Sequence, residues 1–144
     1  MEIFNTKRVY LEDKPMTLEH IIRLYDSGKL DKSNLYVSWD YPSYIESLLL
    51  GIDNNHILMS IGTMKDGEYR VEKGDNKIAT ILKFVKDGMK LEGMLYFTEL
   101  EGMTYDELPP LKYNALMEHV FIVKLISPSN SLAVTENLIN RFDF

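Results

Sequence analysis

The 144-residue chain contains no cysteine. That excludes a disulfide framework, a thiolate nucleophile, a zinc–thiolate site and an iron–sulfur cluster. Long apolar runs are missing as well. None approaches the roughly 20 residues that a membrane-spanning helix needs. The opening Met1-Glu2-Ile3-Phe4-Asn5-Thr6-Lys7-Arg8 has no apolar run behind a basic one, so no secretory signal is expected and a cytoplasmic protein is. A basic excess is absent too: 22 acids against 16 bases leave a net charge of −6. Phosphate neutralisation supplies most non-specific nucleic-acid affinity, so nucleic acid is left to a local patch, and a basic or protein partner fits the charge better. The three histidines, His20, His56 and His119, show no metal-ligand spacing, and no serine sits on a G-x-S-x-G elbow. No metal, cofactor or catalytic set is therefore expected.

What is present is an ordinary globular composition, 45% hydrophobic and 26% charged. The length suits one domain spanning residues 1–144. Residues 2–11 read as a strand or arm. Thr17 is placed to cap a helix over residues 18–25, whose apolar positions Leu18, Ile21, Ile22 and Tyr25 recur at helical spacing before Gly28. Residues 35–39 predict a short strand. Asp40 or Ser43 then caps a mostly apolar helix that closes at Gly51. Residues 56–61 alternate as a strand, Asp66-Gly67 is a hairpin signal, and Tyr69-Arg70-Val71 returns. After Gly74, Asp75 or Asn76 caps a helix running to about Lys86. Residues 91–100 alternate weakly and predict one or two strands. A short helix over residues 111–118, a strong strand over residues 120–126, and a last helix over residues 131–142, capped by Asn130 or Ser131, complete the chain. This mixture predicts an α+β fold with a mixed sheet and packed helices.

Three stretches carry a resemblance. The first is the helix of residues 18–25, continuing to Gly28-Lys29-Leu30. The second is Trp39-Asp40 followed by Ile45-Glu46-Ser47-Leu48-Leu49-Leu50-Gly51-Ile52. The third runs from Asp66-Gly67 through Lys73-Gly74-Asp75-Asn76-Lys77 to Ile81. Together they resemble the ParB/sulfiredoxin-like domain that opens GmrSD-type modification-dependent restriction enzymes, over roughly residues 17–126. In that family the third stretch carries Asp-Gly-Gln-Gln-Arg. Here only Gly74 is kept, with Lys77 standing in for the arginine. The family's Gln-Arg pair before the tryptophan is replaced by Tyr36-Val37-Ser38. Members also continue into a larger helical region, so the chain is similar to a degenerate, truncated copy.

The resemblance implies a ParB/sulfiredoxin-like sheet and a binding position at Gly74, Asp75, Asn76 and Lys77. A helix N-terminus offers free N–H groups and a favourable dipole to a phosphate. Asp75 works against this, since it can cap the helix itself and repel an anion. Trp39 and Glu46 are candidates for lining a pocket; the alternative for Glu46 is to cap, or to pair with a neighbouring Lys or Arg, as a buried carboxylate must find a partner. Residues 91–110 hold five acids and no base, interleaved with aromatics and methionines. Glu92, Tyr96, Glu99, Glu101, Asp106 and Glu107 form a candidate partner surface there, because aromatics and Met are enriched at interface cores; the alternative is a solvated edge.

The expectation is a non-catalytic binding protein with a degenerate ParB-like nuclease fold. A phage or mobile element would encode such a protein to act on a host nucleic-acid-processing or restriction protein. The first alternative is a nucleotide-dependent nuclease of the GmrSD type. It would hold a nucleotide with magnesium at Gly74–Lys77 and use Asp40 or Glu72 for the metal. The second alternative is a structural or assembly subunit, suggested by the tail Phe142-Asp143-Phe144.

Overall fold

The computed structural model describes residues 9–35, 41–61 and 68–142. The predicted strand over residues 35–39, Trp39, Asp40 and the Asp66-Gly67 turn fall largely or wholly outside them. The described elements are β1 (Leu11–Asp13), β2 (Met16–Thr17), α1 (Leu18–Asp26), α2 (Ser43–Leu50), β3 (His56–Ile61), β4 (Tyr69–Lys73), α3 (Asp75–Asp87), α4 (Pro110–Met117), β5 (Val120–Ile126) and α5 (Leu132–Arg141). The fold is α+β with a mixed sheet.

Strand β5 organises the sheet. It runs antiparallel to β1, with Leu11 opposite Ile126, and antiparallel to β2, with Met16 opposite Phe121. On its other side it pairs in parallel with β3, His56 lying opposite Ile122. The β3–β4 hairpin extends the sheet to the order β1-β5-β3-β4. Parallel neighbours need a long crossover, and β4, α3, the loop after it and α4 supply it. The sequence explains the position of β5: Phe121, Val123 and Leu125 alternate into the core, so this strand buries one full face wherever it is placed.

The core lies between this face of the sheet and helices α1 to α4. It gathers Leu18, Ile21, Ile45, Ile57, Met59, Ile78, Ile81, Phe84 and Phe121, all with under 2% of their surface exposed. The expected caps hold at both ends of the chain. The Thr17 hydroxyl accepts the His20 N–H at 3.1 Å, and the Ser131 hydroxyl accepts the Val134 N–H at 3.2 Å. At the start of α5, Ser60, Ile61, Ile126 and Leu132 help to line a cleft of about 420 Å³ at the ends of β3 and β5.

Three local expectations are corrected. Ser43 does not cap α2; it is the first helical residue, and Pro42 occupies the cap position without a side-chain bond. Neither Asp75 nor Asn76 caps α3. The cap residue is Gly74, whose φ of +87° turns the chain from β4 into the helix, and Asp75 follows as the first helical residue. There its carboxylate still meets the positive end of the dipole. Residues 91–100 are not a strand: they run as irregular backbone into a 3-10 turn over Thr98–Leu100. The cause lies in α2 and is described below. Among the described residues no helix is long and apolar enough to cross a membrane.

Candidate functional site

The signature position is built where α3 begins, against the first residues of β3. An added Cβ on Gly74 would stand 2.5 Å from Ile57 Cδ1, inside van der Waals contact. Glycine is required here by a positive φ and by the packing of Ile57 onto the backbone. The side of Gly74 on which a Cβ would project holds a core side chain. Lys77, half-buried one turn into α3, donates its ammonium to the carbonyl of Asn54. Burial pushes its pKa down, opposed by the negative charge of Asp53. Asn76 is exposed, and its carbonyl accepts the Thr80 hydroxyl at 2.8 Å.

Lys77 leads to a feature of the turn before β3 that no sequence motif marks. Asp53, Asn54 and Asn55 each fasten a different element. The Asp53 side chain is 2% exposed. One of its oxygens accepts the Tyr44 hydroxyl of α2 at 3.3 Å, and the other lies 3.4 Å from Nε2 of His119, the residue before β5. That His119 nitrogen closes no hydrogen bond among the described residues. The His119 ring stands edge-on to Phe121. Asn54 holds Lys77 of α3. Asn55 accepts the Ile122 N–H at 2.9 Å and donates to the Val120 carbonyl at 2.9 Å. Tyr44 is held in its phenol form, its pKa pushed up by burial and by the Asp53 charge. Tyr44, Asp53, Lys77 and His119 thus converge from α2, the turn, α3 and the approach to β5. Only Tyr44 and Asp53 are joined by a side-chain hydrogen bond; Lys77 bonds backbone and His119 stands beside Asp53.

The second site is the loop between α3 and α4. Glu46 of α2 is 5% exposed. Its carboxylate accepts the backbone N–H groups of Leu95, Tyr96 and Phe97 at 3.0, 3.0 and 2.8 Å. Burial pushes its pKa up, but the donated bonds from Phe97, Leu95 and Tyr96 outweigh this and hold it below the ordinary carboxylate value. Three consecutive N–H groups turned toward one carboxylate cannot alternate left and right as a strand requires. This is why the weak alternation of residues 91–100 does not become a strand. Both Glu46 oxygens are engaged by backbone, which assigns it the capping role rather than a place in a pocket, and among the described residues no Lys or Arg pairs with it.

The loop is fastened elsewhere too. Glu101 accepts the Gly93 and Met94 N–H groups at 3.2 and 2.9 Å. Leu91 and Met103 are joined through backbone, and Leu91, Met94, Leu100 and Leu108 are buried. Glu107 closes a capping box with Thr104, accepting its N–H and hydroxyl at 3.0 Å each. These donors also hold the Glu107 pKa down. The Lys112 ammonium of α4 sits 3.6 Å over the Phe97 ring, drawing the first turn of α4 beside the loop. Against this fastened frame, Leu95 and Tyr96 are 79% and 70% exposed, and Leu111 is 83% exposed.

The structure therefore separates the predicted residues into two groups. Gly74, Asp75, Asn76 and Lys77 share the start of α3 with the unpredicted Tyr44, Asp53 and His119. Glu92, Tyr96, Glu99, Glu101, Asp106 and Glu107 all lie exposed on the loop. Glu72, the alternative metal ligand, is on β4. It accepts the Ser60 hydroxyl at 2.9 Å and lies 3.3 Å from Arg70 Nε, while Arg70 also reaches Asp31 at 2.9 Å. Among the described residues no three acids or histidines are grouped so as to hold a metal ion. Asp53 was not legible because Asp-Asn-Asn before a strand reads as turn chemistry. Its one available signal was the nearby Tyr44 at the start of a mostly apolar helix. Comparison with family models, curated proteins and solved structures returns no match.

Proposed function

We propose that this chain is a non-catalytic binding protein, a degenerate ParB/sulfiredoxin-like domain that acts by docking onto another protein. The observation that carries the reading is the internal use of the signature. Lys77, the one cation in the arginine's place, is bonded to the Asn54 carbonyl and faces Asp53, and Gly74 packs its Cβ side against Ile57. A phosphate drawing on Lys77 would have to break that bond and approach Asp75. The acidic balance of the chain points the same way, toward a protein rather than a nucleic acid. The setting that suits such a protein is a phage or mobile element acting on a host nucleic-acid-processing or restriction protein. The test is the purified chain with DNA, nucleoside triphosphates and magnesium. Neither cleavage nor hydrolysis is expected. Turnover that Lys77→Ala abolishes would overturn the reading.

One observation favours a second reading, an enzyme of the GmrSD type. Four titratable side chains, Tyr44, Asp53, Lys77 and His119, do converge at the helix start. A nucleotide at a hundred times its Kd stabilises a protein by about 2.7 kcal/mol. A magnesium–nucleotide complex that raises the melting temperature, and fails to do so in Lys77→Ala, would select this reading.

A further inference from the structure

The fastened loop identifies which part of the chain meets the partner, and the chemistry of that partner. We propose that Leu95, Tyr96 and Leu111, exposed on the loop and the first turn of α4 together with Glu92, Glu99 and Asp106, form a preorganised docking surface for a cationic amphipathic protein segment, one with an aliphatic anchor flanked by lysine or arginine. This rests on the binding-protein reading above and specifies its surface and partner.

Three observations converge. The first is that the apolar exposure is not a by-product of a loose loop. Leu95 and Tyr96 are two of the three residues whose N–H groups Glu46 holds. Their backbone is tied to a buried helix while their side chains point to solvent. Ordering the loop in advance removes part of the entropy that association otherwise costs. A tyrosine beside a leucine supplies a large, stiff, amphipathic anchor.

The second is that the five loop acids divide by role. Glu101 and Glu107 are engaged in holding the loop. Glu92, Glu99 and Asp106 are exposed and make no hydrogen bond or ion pair among the described residues. The acids with structural work and the acids left to solvent are different residues.

The third is that acids outnumber bases, five to two, over residues 90–112. The Lys112 ammonium lies on the Phe97 ring, and Lys90 acts on Glu107. An acidic segment that also exposes apolar side chains repels a phosphate backbone or an acidic partner and attracts a basic one. A helix with aliphatic and basic residues at helical spacing meets both demands, laying its apolar stripe on Leu95, Tyr96 and Leu111 and its cations on the exposed acids.

The test uses the full chain and a short amphipathic peptide of leucine and lysine at helical spacing. Two control peptides replace leucine by serine or lysine by glutamate. Titration followed by backbone amide shifts is expected to perturb residues 92–99 and 106–112 and to leave β4 and α5 unmoved. Both controls are expected to bind at least about tenfold more weakly. The double substitution Leu95→Ser with Tyr96→Ser is expected to weaken the leucine–lysine peptide by about tenfold or more. Glu92→Gln, Glu99→Gln and Asp106→Asn together are expected to flatten the salt dependence of binding. These side chains are exposed, so an unchanged melting temperature verifies the fold of each variant. Equal binding of the glutamate peptide, perturbation centred on another face, or unaltered affinity in the Leu95/Tyr96 variant would each overturn the proposal. No binding of the leucine–lysine peptide would overturn it too, while leaving the binding-protein reading to be decided by the nuclease and nucleotide assays.

Discussion

The turn before β3 and the loop after α3 both lack regular structure, and both depend on a buried carboxylate, but the two carboxylates face different kinds of partner. Asp53 faces side chains: the Tyr44 hydroxyl, the His119 ring and the charge of Lys77. Those side chains are thereby gathered around one buried charge. Glu46 faces backbone, taking three N–H groups in succession. Of the three side chains on that stretch Phe97 packs under Lys112, while Leu95 and Tyr96 stand in solvent. A carboxylate that binds side chains consumes their chemistry. One that binds backbone fixes a path and leaves the side chains available. The same helix, α2, contributes to both arrangements, through Tyr44 on one and Glu46 on the other.

The largest way to break this contrast is to remove the backbone acceptor. Glu46→Ala would leave three partly buried N–H groups without a partner and is expected to lower stability by about 3 kcal/mol. Urea unfolding should show a lower midpoint. Amide exchange at Leu95, Tyr96 and Phe97 should accelerate more than in the turn at residues 53–55. Glu46→Gln keeps one acceptor oxygen and is expected to lose about half as much.

The same residue carries a pH signature. Its carboxyl in the folded state titrates below the ordinary value of 4.5, so as pH falls the unfolded chain takes up the proton first. The contribution of Glu46 is therefore complete above the ordinary carboxylate range, and it is lost as pH falls through the lower folded value. Measured against pH, the stability gap between the native chain and Glu46→Gln should be constant near neutrality and narrow in acid. A gap independent of pH would remove the carboxylate from the account.

Gly74→Ala comes next. It forces a Cβ against Ile57 at a φ of +87° and is expected to cost about 2 kcal/mol. Adding Ile57→Val, which removes the clashing methyl, should recover part of that loss. Recovery would confirm that this glycine answers to packing. Lys77→Ala removes a half-buried bond to the Asn54 carbonyl and is expected to cost about 1 kcal/mol, with loosening confined to residues 53–56. Smallest of all, Leu95→Ser and Tyr96→Ser should change stability by less than about 0.5 kcal/mol. A large loss from either would mean that these side chains support the fold and are not free for a partner.

The regular elements were legible because their determinants are local. Thr17 and Ser131 are cap residues beside periodic apolar stretches, and the run Val120–Ile126 has no competing helical pattern. The candidate surface was legible in outline, since five acids without a base can be counted. Its internal division was not: Glu101 and Glu92 look alike until the N–H groups of Gly93 and Met94 are seen on one of them. The strand expected over residues 91–100 failed for a related reason. Weak local alternation is overruled when a residue about fifty positions away collects the backbone donors.

Sequence alone determined the class of fold, most of its helices and strands, the absence of thiol chemistry, and the acidic balance of the loop. These follow from period, capping and composition, which act within a few residues of the chain. Only the tertiary structure decided what each charge does. Whether a carboxylate is a clamp, a buried partner or a surface charge depends on donors brought from distant elements, and no spacing within the chain records which donors arrive.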